Sequence, residues 1–307
     1  QINISKEQNE GNFYNCTFED CKFDKSDGVP HQYVINVHCI KFTFDNCTIK
    51  FTDSSQACGG ISIDCFCNMT IINSYFSQCN VKSDKDQTAG IYYEPIIRTE
   101  GSYNEHLILN GNTFDKMVGI NARCFKITID YSKTDLSDNT IKECKDGGHT
   151  GAFYLHSNTD TFEFKGWNFL NNECKALLSG GCGLWIAPSK YSTRDSITLT
   201  FEGCLWQGNK AIHDPDVNTT NNNGDKREFL YNGLGGGFQF GFSESNAKLG
   251  LNFKYCEFNR NSAAYEGGAL AIQTTKDCII QNCIFISNTA GTEAAVTGDK
   301  TKSGGAV

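Results

Sequence analysis

Cysteine carries most of the possible chemistry here: sixteen thiols in 307 residues, an even count. Disulfides persist in oxidising compartments, so the count points to a secreted or cell-surface protein. Zinc is the rival use of cysteine, but it favours paired CxxC knuckles. The tightest pair is Cys65-Phe66-Cys67, with no second knuckle, so no metal residues are expected. Polysaccharide cleavage would need clustered carboxylates beside a base. The densest candidate, His213-Asp214-Pro215-Asp216 with Asp225, lies among Asn218, Asn221, Asn222, Asn223, Lys226 and Arg227, and reads as a solvated loop. Its oxygen ligands leave a weak Ca²⁺ site open, without EF-hand spacing. The six histidines share no ligand spacing, and no catalytic or cofactor-binding residue is expected. Candidate N-glycosylation sites are Asn218, Asn68 and Asn3, while Asn15 and Asn46 also stand in Asn-x-Thr triplets.

The net charge of −8, with only five arginines, argues against nucleic acid or an anionic membrane as partner. No window of 18 apolar residues offers a transmembrane segment. The chain opens at Gln1 in polar sequence, which suits a terminus left after signal removal.

These residues are positioned by a repeat. One element is a short strand ending in an apolar anchor: Phe18, Ile49, Phe76, Phe114, Ile141, Phe169, Trp206, Phe258 and Phe285, with spacings of 31, 27, 38, 27, 28, 37, 52 and 27. The unit is about 27 residues, lengthened by insertions near 80–105 and 207–233. A second element is a glycine turn followed by an alternating strand, as in Gly59-Gly60-Ile61-Ser62-Ile63 and Gly267-Gly268-Ala269-Leu270. The third is the strand leading into the next anchor, such as Ile197-Thr198-Leu199-Thr200-Phe201.

One such turn cannot bury its apolar face alone, whereas stacked turns pair every strand in parallel and set like on like. The expected fold is therefore all-β: a right-handed parallel β-helix (solenoid) of about nine coils with loop insertions. One domain spans 1–307 and is expected to continue beyond residue 307. The anchors predict one inward ladder. A second is expected to run through Ile61, Ile91, Ile120, Phe153, Leu184, Phe238 and Leu270.

Phe169-x-x-Asn172, Phe258-x-x-Asn261 and Phe285-x-x-Asn288, with the near match Trp206-x-x-Asn209, accompany Gly267-Gly268-Ala269-Leu270 and Gly304-Gly305-Ala306-Val307. In these motifs the chain resembles the polymorphic outer-membrane protein repeats. The match is good over 160–307 and poor before it. The resemblance implies a surface β-helix used in adhesion. The cysteine content departs from the bacterial pattern and suits a secreted eukaryotic relative, such as one from a protist.

Cysteines recur at equivalent places, and neighbouring coils set such places about 5 Å apart, within disulfide reach. The pairs expected are Cys16–Cys47, Cys144–Cys174 and Cys256–Cys283, with a buried ladder of thiols as the alternative. Asn15, Asn46 and Asn282 precede cysteines and are expected to form a corner ladder; pointing inward, they would carry no glycan. Between the inward positions of the glycine-turn strands lies an outward row with Tyr92, Tyr154 and Trp185, a possible binding face for sugar or protein. Packing beneath inserted loops is the other reading of that row. The function expected is a non-catalytic structural or adhesive module that presents loops and a ladder face to protein or glycan partners, or to copies of itself in a filament. A carbohydrate-active enzyme of the pectin lyase-like β-helix type is the alternative.

Overall fold

A computed structural model describes residues 2–4, 9–21, 33–51, 59–65, 67–81, 87–93, 104–119, 122–129, 131–146, 151–155, 161–175, 185–188, 196–212, 235–240, 248–264, 267–272 and 277–291. The described strands stack as nine coils. Each coil gives one strand to a second and one to a third sheet, both nine-stranded; a first and a fourth sheet have seven strands each. In the last two coils the place of the first sheet is taken by the pair Phe238–Phe240 and Leu270–Ile272. Strand pairing is parallel throughout the described residues. At about 4.8 Å per coil the column is about 45 Å long.

The anchor row forms as the spacing predicts. Phe18 pairs with Ile49, and the row runs unbroken through Phe76, Phe114, Ile141, Phe169, Trp206 and Phe258 to Phe285. Rings one coil apart lie nearly parallel: Trp206 and Phe258 have centroids 4.6 Å apart, and Phe258 and Phe285 4.9 Å. The parallel rise sets this spacing, since identical rotamers on successive rungs must stack. Each fully buried phenylalanine contributes about 1.5–3 kcal/mol relative to exposure.

The other inward row differs from expectation. Ile61 and Ile91 pair as foreseen, but the next rung is Phe125, followed by Gly151. Phe153 instead pairs with Ile127, two positions along. The glycine turn at Val118-Gly119 accounts for the first of these differences. It belongs to the fourth sheet, between Asn80–Val81 and Lys145–Asp146, and the first-sheet strand of that coil is Ala122–Ile129. Ile120 and Leu184 lie outside the described residues. Phe238 over Leu270 stands as expected.

The corners follow a backbone rule. Between the second and third sheets every coil has one residue with left-handed φ: Asn15, Asn46, Asn73, Gly111, Asp138, Gly166, Gly203, Tyr255 and Asn282. Asparagine, aspartate and glycine dominate because they tolerate this region best. Between the third and fourth sheets the same conformation recurs at Asp20, Gln78, Lys116, Glu143, Asn171, Gly208, Arg260 and Ser287.

The residue after the left-handed turn points inward, and from the third coil on at the first corner, and from the fifth on at the second, it donates to a carbonyl of the preceding coil. At the first corner Ser74 Oγ donates to Phe44 O (3.3 Å), Asn112 Nδ2 to Ile71 O (2.7 Å) and Asn139 Nδ2 to Leu109 O (2.7 Å). Trp167 Nε1 donates to Leu136 O at 2.8 Å, and the thiols of Cys204, Cys256 and Cys283 point at Phe164 O, Phe201 O and Phe253 O. At the second corner Asn172, Asn209, Asn261 and Asn288 donate to Ile141 O, Phe169 O, Trp206 O and Phe258 O at 2.8–3.0 Å. Each of these carbonyls also takes a ladder N–H, so the donor in this slot supplies a second bond of about 0.5–1.5 kcal/mol; Met117, buried in the fourth coil after Lys116, fills the slot without donating. The Phe-x-x-Asn motif is this arrangement written into sequence: an inward aromatic, then the corner donor three residues later.

Candidate functional site: the outward row and the cysteine corners

Tyr92 and Trp185 share one row of the first sheet by register, with Asn36, Ser62, Lys126 and Ala152. Two of its aromatics are thus three coils apart, about 14 Å. Tyr154 is not among them; it pairs with Thr128 and Ala187, two positions along the strand. The same register difference that displaced Phe153 displaced Tyr154. Tyr92 is half-buried, and its ring stacks on that of Tyr33 at 6.2 Å.

The cysteine pairs divide. Cys16 and Cys47 occupy the same corner slot on neighbouring coils, as do Cys256 and Cys283. All four are thiols in the structure, and Cys16 N donates to Cys47 Sγ at 3.3 Å. Cys204 extends the second pair to a column of three. Because serine, asparagine and tryptophan fill the same slot in coils three to six, its shared property is hydrogen-bond donation.

The pairing of Cys144 with Cys174 is overturned. Lys145 pairs with Glu173 and Asp146 with Cys174, so Cys174 sits two positions beyond the slot of Cys144. The matching Glu-Cys-Lys triplets are out of register, and Cys144 lies level with Asn172, whose Oδ1 accepts from Cys144 N at 3.0 Å. Cys174 is disulfide-bonded, while Cys144 is a thiol facing Cys124, with sulfurs 3.2 Å apart.

Asn15 and Asn46 face solvent, contrary to the inward orientation considered from sequence; it is the cysteines after them that turn in. Asn46 Nδ2 donates to Asn15 Oδ1 at 2.7 Å on the exposed corner. Asn3 is exposed and accepts from Asn36 Nδ2 at 3.1 Å, while Asn68 Oδ1 accepts from His106 N at 3.2 Å. Asn218 and the His213–Asp225 cluster, with its Ca²⁺ expectation, lie outside the described residues.

One cluster escaped the sequence reading. His38 directly follows the strand Tyr33–Val37 and Asp64 follows Gly59–Ile63; since Val37 pairs with Ile63, the two emerge one above the other. His38 Nδ1 and Asp64 Oδ1 are 2.6 Å apart, and Cys65 completes a group of three donor atoms within 4.8 Å of one another. Cys65 Sγ points at Cys39 O (3.2 Å), and burial, with Cys39 and Asp64 nearby, pushes its thiol up to about 11. The only sequence signal was position: each group follows a first-sheet strand, one coil apart.

An all-parallel column of three- and four-stranded coils defines a β-helix solenoid, and comparison with known families agrees. Residues 2–193 match the family described as right handed beta helix region, and the chain belongs to it. No curated protein and no solved structure matches the chain. Among the described residues no helix is long and apolar enough to cross a membrane.

Proposed function

We propose that this chain is a rigid structural or adhesive module of a secreted or cell-surface protein, recognising protein or glycan partners through its outward rows and inserted loops. The observation that carries this reading is the filled interior. From Phe42 to Leu270 the described inward positions are occupied by buried, mutually packed side chains, which leaves recognition to the outside of the column. The sixteen cysteines and the exposed sequon at Asn3 favour an oxidising compartment. Adhesion in the manner of the polymorphic outer-membrane proteins rests on the shared Phe-x-x-Asn and Gly-Gly-Ala-Leu motifs. Their corner role ties them first to the fold.

The row holding Tyr92 and Trp185 is the face we assign to binding, because flat aromatic area with a polar edge suits sugars and protein hot spots. A glycan array and a cell-surface binding assay, run on the wild type, Tyr92→Ala and Trp185→Ala, test it. Saturable binding that falls at least tenfold in either variant is expected. Binding indifferent to both changes refutes the assigned face, and turnover of a polyuronate substrate in a parallel assay refutes the non-catalytic reading.

A further inference from the structure

We propose that the corner formed by His38, Asp64 and Cys65 binds a divalent transition-metal ion of the zinc class. It would take His38 Nδ1, one Asp64 carboxylate oxygen and the Cys65 thiolate, leaving a fourth position to water. Among the described residues it is the one grouping of three such side chains.

The donor set selects the ion. An imidazole nitrogen, a carboxylate oxygen and a thiolate suit a borderline-soft cation, whereas Ca²⁺ and Mg²⁺ require oxygen ligands throughout. Three protein ligands plus water is the common arrangement of open zinc sites. Bonds of about 2.0–2.3 Å in a tetrahedron place ligand atoms roughly 3.3–3.6 Å apart. The present separations run from 2.6 Å between His38 and Asp64 to at most 4.8 Å within the group, so modest side-chain shifts converge on one centre. Asp64 can make such a shift because its side chain is 68% exposed. His38 and Cys65 are held more firmly, at a corner fixed by parallel pairing of two coils.

Binding is a ligand exchange. The hydrated ion loses waters to the three side chains, the Cys65 proton passes to buffer, and the His38–Asp64 hydrogen bond gives way to two metal bonds. The thiol also gives up its contact with Cys39 O. No electron is transferred. Because His38 comes from one coil and Asp64 and Cys65 from the next, the ion ties coils two and three together at the surface.

The test is a Co²⁺ titration of the full chain, stripped with chelator and held in phosphine reductant. Wild type is expected to bind one equivalent with a sulfur-to-cobalt charge-transfer band, displaced by Zn²⁺ and unaffected by excess Ca²⁺. Cys65→Ser should remove the band, and His38→Ala and Asp64→Asn should each weaken binding at least tenfold. These side chains lie at the surface or at its margin, and circular dichroism confirms that each variant folds. Absence of saturable binding in wild type, or unchanged binding and band in Cys65→Ser and His38→Ala, overturns the proposal. So does recovery of Cys65 in a disulfide from protein isolated without reductant.

Discussion

Asn209→Leu tests the corner-donor rule most directly. Asn209 is fully buried in the second corner column. Its Oδ1 accepts from Asn172 N at 3.1 Å and from Asn172 Nδ2 at 2.9 Å, while its Nδ2 donates to Phe169 O and to Asn261 Oδ1, each at 2.9 Å. Leucine keeps the branched outline but cannot hydrogen-bond, and its bulkier methyl ends add any overpacking to the penalty. Asn172 Nδ2 keeps Ile141 O, and Asn261 Oδ1 still accepts from Asn209 N at 3.1 Å. One buried backbone group is left bare, the Asn172 N–H, while the Phe169 carbonyl keeps the ladder N–H of Gln207 and loses only its second donor. At about 1–3 kcal/mol for an unsatisfied buried group and about 0.5–1.5 kcal/mol for the second bond, the variant should lose about 1.5–4.5 kcal/mol. Asn209→Cys mimics Cys144, which fills the same slot two coils earlier. It keeps a weak donor for Phe169 O but also removes the acceptor of the Asn172 N–H, so a loss of about 1–3 kcal/mol is expected. Urea unfolding followed by tryptophan fluorescence gives the comparison. Repeat columns need not unfold in one step, so hydrogen exchange at Asn172 N–H supplies a local reading, and protection there should collapse first. A leucine variant within about 0.5 kcal/mol of wild type, beneath the smallest expected penalty, would refute the reasoning.

Trp206 Nε1 is buried without a partner, whereas Trp167 Nε1 is bonded to Leu136 O. Trp167→Phe should therefore cost about 0.5–1.5 kcal/mol more than Trp206→Phe, measured by equilibrium unfolding, since only the former loses a hydrogen bond. In glutathione redox buffer Cys124 and Cys144 are expected to join, as their sulfurs stand 3.2 Å apart, closing a loop 20 positions long. The bond should add about 3 kcal/mol and appear as a linked peptide; a peptide linking Cys144 to Cys174 instead would contradict the register. Burial raises the thiol pKa of Cys79 and Cys204. The unfolded chain then releases these protons from about pH 8.5 while the fold retains them, so in reductant stability is flat below that pH and falls as pH rises above it. Cys79→Ala should flatten that slope in unfolding curves taken between about pH 7 and 10. At the exposed corner, Asn46→Ala should cost about 1–2 kcal/mol through its φ of 51°, while Asn46→Gly should lie near wild type.

The nine anchors and their period determined the coil number and one complete inward ladder, because a parallel solenoid converts sequence spacing directly into stacking. The asparagine or glycine before seven of the nine anchors likewise reported a recurrent corner, since few residues accept left-handed φ. Register at the first sheet was not legible. Val118-Gly119-Ile120-Asn121-Ala122 reads as a glycine turn with its strand, and only the pairing of Phe125 with Ile91 shows that the first-sheet strand of that coil is Ala122–Ile129. The register of the following coil was equally hidden, and it sets Phe153 and Tyr154 two residues along from the expected rung. The out-of-register Glu-Cys-Lys triplets likewise hid the offset of Cys174 from Cys144. What tertiary structure alone decided is contact between coils: Cys124 with Cys144, and His38 with Asp64 and Cys65. Local pattern fixes which side of a strand a residue faces, but neighbours on adjacent coils depend on the length of every intervening turn, which folding sets and periodicity averages away.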